Sequence, residues 1–205
     1  MGIYVGNKFI VREHGDLMHD AVSVGIGTTH NLRLGQFASN SDHLGESVAV
    51  GSGRIVVGAP IGGPGSGGAA YLYDLDGNEL VELSIPGHTS NPPDGSPLFG
   101  YSVAVGSGRI VVGARADNVG SNDNQGAAYL FDLDGNYIAK LTSSNGAAED
   151  KFGWSVAVGS GRIVVGAYDH NTNGNNDQGS AYIYDLDGNE VGIITASDGA
   201  AADEF

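Results

Sequence analysis

The chain has 205 residues with 9 Lys and Arg against 24 Asp and Glu, a formal charge of −15 that repels a phosphate backbone and argues against nucleic acid as a partner. It has no cysteine, so a disulfide framework and a thiolate metal site are excluded, and no apolar run approaches the length of a membrane span. Hydrophobic residues make up 40%, ample for a β core, and the 35 glycines fall at recurring positions that suit tight turns.

Residues 1–41 stand outside the clear repeats. Ile3 to Val5, Gly6-Asn7 and Lys8 to Val11 spell a hairpin with a two-residue turn. Arg12 to Asp20 is polar, and Ala21 to Ile26 alternates again before Gly27-Thr28-Thr29 breaks the pattern. Asn31 to Leu44 loosely matches the tail of a later repeat, Tyr137 to Phe152. The segment reads either as a degenerate repeat or as an attachment module. The second is preferred, because Met1 to Asp20 matches no part of the repeat. The opening MGIYVGNKFIVREHGD lacks the continuous apolar core and cleavage site of a secretory signal.

From residue 42 onward one stretch organises the chain. SVAVGSGRIVVGA occurs letter for letter from Ser47, Ser102 and Ser155, at spacings of 55 and then 53 residues. Ser47 to Val50 alternates as a strand does, Gly51-Ser52-Gly53 suits a tight hairpin, and Arg54 to Ala59 is nearly all apolar. After a variable loop, Ala70 to Leu75 supplies a third strand, and Asp76-Gly77 turns the chain into a fourth over Glu79 to Leu83. The same grammar recurs in the other copies, with Asp134-Gly135 and Asp187-Gly188 at the last turn. The recurring pairs Asp74 and Asp76, Asp132 and Asp134, and Asp185 and Asp187 are expected to serve turn chemistry, Asp before Gly stabilising the turn by side chain to backbone hydrogen bonds. Four antiparallel strands per unit of about fifty residues describe a propeller blade.

The predicted fold is all-β: four-stranded blades at about 42–97, 98–150 and 151–204, forming an incomplete ring. Val48, Val103 and Val156 are expected in matching environments. The aromatic or Leu side chains Leu44, Phe99, Phe152 and Phe205 are expected to plug the gaps between blades, and Arg54, Arg109 and Arg162 to pair with neighbouring carboxylates or solvate a strand end. Phe205 falls where a further unit would begin. The chain is therefore expected either to be part of a longer one or to associate with copies of itself.

The frame Phe-Gly-x-Ser-Val-Ala, then Val-Val-Gly-Ala, then Gly-x-Ala-Tyr-Leu-Tyr resembles the FG-GAP repeat of integrin α heads and of bacterial and viral surface proteins, over Leu44 to Phe205. The resemblance implies a propeller that binds partners through loops on one face. Calcium-binding members of that family carry an Asp-rich loop between the first two strands. Here that loop is only Gly51-Ser52-Gly53, Gly106-Ser107-Gly108 or Gly159-Ser160-Gly161, so the usual site is missing from its usual place.

A different loop offers calcium ligands. Asp169, Asn171, Asn173 and Asp177 fall at positions 1, 3, 5 and 9 of a calcium-loop spacing, with Asn175 supplying a backbone carbonyl at position 7 and Gly174 at position 6. The bidentate Glu of position 12 is replaced by Ser180. That substitution favours an Asn-rich surface turn over a calcium site. Tyr101, Trp154 and Glu46 share one variable slot, where an aromatic residue is suited to contact a glycan or another partner. No nucleophile elbow, phosphate loop or paired catalytic carboxylate stands out.

Function divides three ways. The preferred reading is a non-enzymatic structural or adhesive protein of an extracellular assembly, a phage virion or tail appendage, which needs no secretion signal. It would contact other virion proteins and a host glycan or receptor. The alternatives are a bacterial secreted or surface adhesin, and the scaffold of a polysaccharide-acting enzyme.

Overall fold

The computed structural model describes residues 3–5, 8–10, 42–63, 67–88, 96–171 and 177–197. The chain divides into two compact units, Met1–Asn31 and Leu32–Phe205. In the first, β1 (Ile3–Val5) and β2 (Lys8–Ile10) pair antiparallel with Val5 opposite Lys8, the hairpin expected around Gly6-Asn7.

The second unit holds three four-stranded antiparallel sheets, each a simple meander. The first contains β3 (Ser47–Gly51), β4 (Arg54–Ala59), β5 (Ala69–Tyr73) and β6 (Glu79–Leu83). The second contains β7 (Phe99–Gly106), β8 (Arg109–Ala114), β9 (Ala127–Phe131) and β10 (Tyr137–Leu141). The third contains β11 (Phe152–Gly159), β12 (Arg162–Ala167), β13 (Ser180–Tyr184) and β14 (Glu190–Ile194). No helix occurs among the described residues, and none of the sheets closes into a barrel. The all-β, blade-type architecture is the one the repeat predicts.

The hairpin between the first two strands of each sheet is a two-residue type I′ turn. Ser52 and Gly53 have φ of 49° and 75°, and Ser107-Gly108 and Ser160-Gly161 follow suit. Of the paired acids expected at the last turn, the first of each pair holds it: Asp74 Oδ1 accepts the Asp76 and Asn78 amides at 3.0 and 2.8 Å. Its Oδ2 accepts Asn78 Nδ2 at 2.7 Å, and Asp132 and Asp185 repeat the arrangement. The Asp74 amide donates to the Asn78 carbonyl at 3.0 Å to close the turn, and β5 ends at Tyr73, two residues short of Leu75.

The core lies between successive sheets. Val56, Ala70, Leu72 and Leu83 of the first pack with Phe99, Val103, Val105 and Val112 of the second. Leu130 and Leu141 of the second pack likewise with Phe152, Val156 and Val158. Phe99 and Phe152 are fully buried and fill the gaps as expected, each contributing about 2 kcal/mol by removal from water. Leu44 packs at the margin of a smaller cluster with Tyr71 and Tyr73, and Phe205 lies outside the described residues.

The three equivalent valines pair identically, Val48 with Val57, Val103 with Val112 and Val156 with Val165. Their environments do not match as the sequence led one to expect. Val48 is 68% exposed and Val103 9%. The reason is directional stacking. The Val103 face of β7 is covered by the preceding sheet, whereas among the described residues no sheet covers the Val48 face of β3.

Candidate partner-binding site

The second and third repeats each seat on the previous one through a Phe-Gly pair. Phe99 donates its amide to the Gly67 carbonyl at 3.0 Å, and Gly100 takes a φ of +92°. The approach is close enough that a Cβ on Gly100 would lie 2.1 Å from the Ala69 carbonyl oxygen. On the other side, the Ser47 hydroxyl donates to the Gly100 carbonyl at 2.8 Å. Gly153 and Ser102 repeat these contacts one unit later.

This seating forces a bulge. Phe99 faces Ala114 and Ser102 faces Gly113, so Gly100 and Tyr101 have no cross-strand partners; Gly153 and Trp154 are placed likewise. A bulge redirects the side chain it carries. The left-handed residues just before it, His43, Leu98 and Lys151 with φ of 54°, 57° and 58°, give all three repeats the same entry turn.

The two slots that bracket the identical stretch, one before it and one after, hold Glu46 and Pro60 in the first copy, Tyr101 and Arg115 in the second, and Trp154 and Tyr168 in the third. The structure brings the last four together. The Tyr101 and Trp154 rings lie 5.2 Å apart across the boundary between repeats, and Tyr168 stacks on the indole at 4.6 Å with an interplanar angle of 15°. The Arg115 guanidinium lies 4.3 Å from the Tyr101 ring centre and 4.9 Å from that of Trp154. Its Nε is buried without a hydrogen-bond partner. Sequence reasoning singled out Tyr101 and Trp154 and missed Arg115 and Tyr168. The signal was available, since both directly follow the identical stretch.

The loop proposed for calcium is placed in part. Asn171 Oδ1 accepts the Asp177 amide at 2.8 Å, and Asp177 has φ of 55°; Asn173 and Asn175 lie outside the described residues. The second repeat closes the matching loop the same way, Asn118 Oδ1 accepting the Asn124 amide at 2.8 Å, without an acid at either position. Beneath the third loop lies Asp150, buried and accepting the Ala147 amide at 2.7 Å, and His170, whose Nδ1 meets the Ser180 hydroxyl at 2.8 Å. Burial pushes the Asp150 carboxyl above its usual range, with His170 and the backbone amides opposing. Asp74, Asp132 and Asp185 are shifted down, first by the Asn side chain and then by the backbone donors that each accepts.

Tandem four-stranded sheets, each seated on its predecessor through a Phe-Gly pair, define a propeller-type repeat protein. Residues 92–131 and 136–184 match the FG-GAP repeat, so the chain carries FG-GAP repeats over its second and third sheets. The first copy, where Leu44 stands in place of Phe, lies outside the matched residues. Comparison with curated proteins gave no match.

Proposed function

We propose that this chain is a non-enzymatic binding and spacer element of an extracellular assembly, specifically a virion or tail appendage, and that it contacts a host-surface ligand through Tyr101, Arg115, Trp154 and Tyr168. One observation carries the reading. Copies that are otherwise identical in their first two strands diverge at the bracketing slots, and two of them diverge into a single aromatic and cationic cluster. Architecture explains what repeats; it does not explain a cluster that two copies build and the first lacks. Stacked rings are already ordered before a partner arrives, which lowers the entropic cost of contact. The guanidinium is a positive centre on a chain of net charge −15 and suits an acidic or carbonyl-bearing ligand.

Trp154 is the single tryptophan, so its fluorescence reports on the cluster directly. Titration with host-surface glycans and receptor fragments should quench or shift that emission, and Arg115→Ala should abolish the response. Mass spectrometry of purified particles, cell-surface and cytosolic fractions tests the assembly. Enrichment in particles supports the virion, enrichment at the surface supports an adhesin, and confinement to cytosol overturns both. For calcium, the residues we propose are Asp169, Asn171, Asn173, Asn175 and Asp177, on the strength of their oxygen donors. Calorimetric titration of the protein and its Asp169→Ala variant tests this, and equal uptake by both would place calcium elsewhere.

A further inference from the structure

We propose that the outer face of the third repeat is a docking surface for the first repeat of a second copy of this chain, so that copies associate head to tail. The chain itself shows, twice, what seats on such a face. Arg54 Nε donates to the Leu133 carbonyl of the next repeat at 2.9 Å, and Arg109 Nε to that of Leu186 at 2.8 Å. Ser47 and Ser102 hydroxyls take the carbonyls of Gly100 and Gly153. Gly51 and Gly106 lie so close to the carbonyls of Val105 and Val158 that a Cβ would sit 2.5 and 2.6 Å from them. The Gly135 turn rests against Val81 and Leu83, and the Gly188 turn against Ala139 and Leu141.

Among the described residues, nothing is seated on the same groups of the third repeat. Arg162 is exposed, and among the described residues only the adjacent Gly161 carbonyl accepts from it. Among the described residues, no atom comes within 4 Å of a Cβ built on Gly159, and one on Gly166 meets only Ser155 of its own repeat. Ile194 is 44% exposed, whereas its equivalents Leu83 and Leu141 are 2% and 1%. A shallow concavity lined by Ser155, Ala157, Gly166 and Ala181 lies where Gly100 and Gly153 approach Gly58 and Gly113 in the first two repeats.

The complementary surface is on the first repeat. Val48 and Val50 are 68% and 72% exposed, while Val103 and Val105, which bury that face in the second repeat, are 9%. Leu75 is likewise exposed, though Leu133 and Leu186 pack against the cores. Because Ser47 to Ala59, Ser102 to Ala114 and Ser155 to Ala167 are identical in sequence, the first two strands of each sheet can repeat the internal contact between copies. Arg162 takes the Leu75 carbonyl and Asp76 of the second copy, Ser155 takes its Gly45 carbonyl, and Ile194 covers its Gly77 turn. Two different faces meet, so the contact is heterologous and leaves one face of each kind free.

Sedimentation of the full chain over a wide concentration range tests this, and mass should rise in whole copies. A tail-blocked variant (Arg162→Glu with Ile194→Asp) and a head-blocked variant (Val48→Asp with Val50→Asp) should each remain monomeric. Both should keep the wild-type circular dichroism, since these side chains are exposed within one chain. Mixed in equal amounts, they should give a dimer that grows no further. A wild-type chain monomeric throughout overturns the proposal. So does self-association undiminished in either variant, or a mixture that fails to pair, as a face-to-itself dimer would.

Discussion

Arg54 reaches across the first repeat boundary to hold the Leu133 carbonyl at 2.9 Å, and its guanidinium stands 3.6 Å from Asp134. Asp134 is largely exposed, so the ion pair itself contributes little and the carbonyl bond carries the contact. Arg109 makes the same pair of contacts with Leu186 and Asp187, and Arg162 makes neither among the described residues. The three arginines share one local sequence, which makes them controls for one another. Arg109→Ala is expected to cost about 1–2 kcal/mol in urea unfolding. Arg162→Ala should stay within about 0.5 kcal/mol when the chain is dilute.

Glycines that look alike in sequence differ in what they allow. Gly153 has φ of +87°, and a Cβ there would lie 2.3 Å from the Ala127 carbonyl oxygen. Gly161 has φ of +76° and open space around it. Gly153→Ala should therefore cost about 3 kcal/mol or more, or prevent folding, because strain and backbone overlap add. Gly161→Ala should cost roughly 1 kcal/mol, from strain alone. Thermal unfolding of the two variants separates the cases.

Much of this was legible because repetition removes ambiguity. The four strands, the Gly-Ser-Gly hairpins and the buried Phe99 and Phe152 follow from apolar alternation and turn residues that recur in register. Which acid of Asp-Leu-Asp-Gly holds the turn was not legible, since both satisfy turn rules and only the backbone path decides which one turns inward. The gathering of Arg115 and Tyr168 with Tyr101 and Trp154 was hidden too. It depends on a bulge created by the seating of one repeat on another, a contact between residues about fifty apart.

The Ser-Gly hairpins are a built-in place to gain stability. Ser52, Ser107 and Ser160 hold φ near 50°, a region Asn enters more readily than Ser. Ser107→Asn should stabilise by roughly 0.5 kcal/mol, and the triple replacement by about 1–2 kcal/mol. A midpoint that falls in chemical denaturation would contradict the type I′ assignment.

The aspartates should oppose one another as pH changes. Asp132 is held below its usual 3.8 by the Asn136 side chain and backbone donors, so its contribution is present above that range and lost as pH falls through the lowered value. Asp150 is raised above 3.8 chiefly by burial, so its contribution is complete below that range and is lost as pH rises through the raised value. Asp150→Asn keeps an acceptor for the Ala147 amide and removes the buried charge. It should leave stability near wild type in acid and increase it relative to wild type towards neutrality. Asp132→Asn retains one oxygen for the two backbone amides and loses the charge, so it should fall below wild type at neutral pH and converge with it in acid. Denaturation midpoints of both variants across the acidic range check the signs, and two curves moving in the same direction would overturn the assignment of either carboxylate.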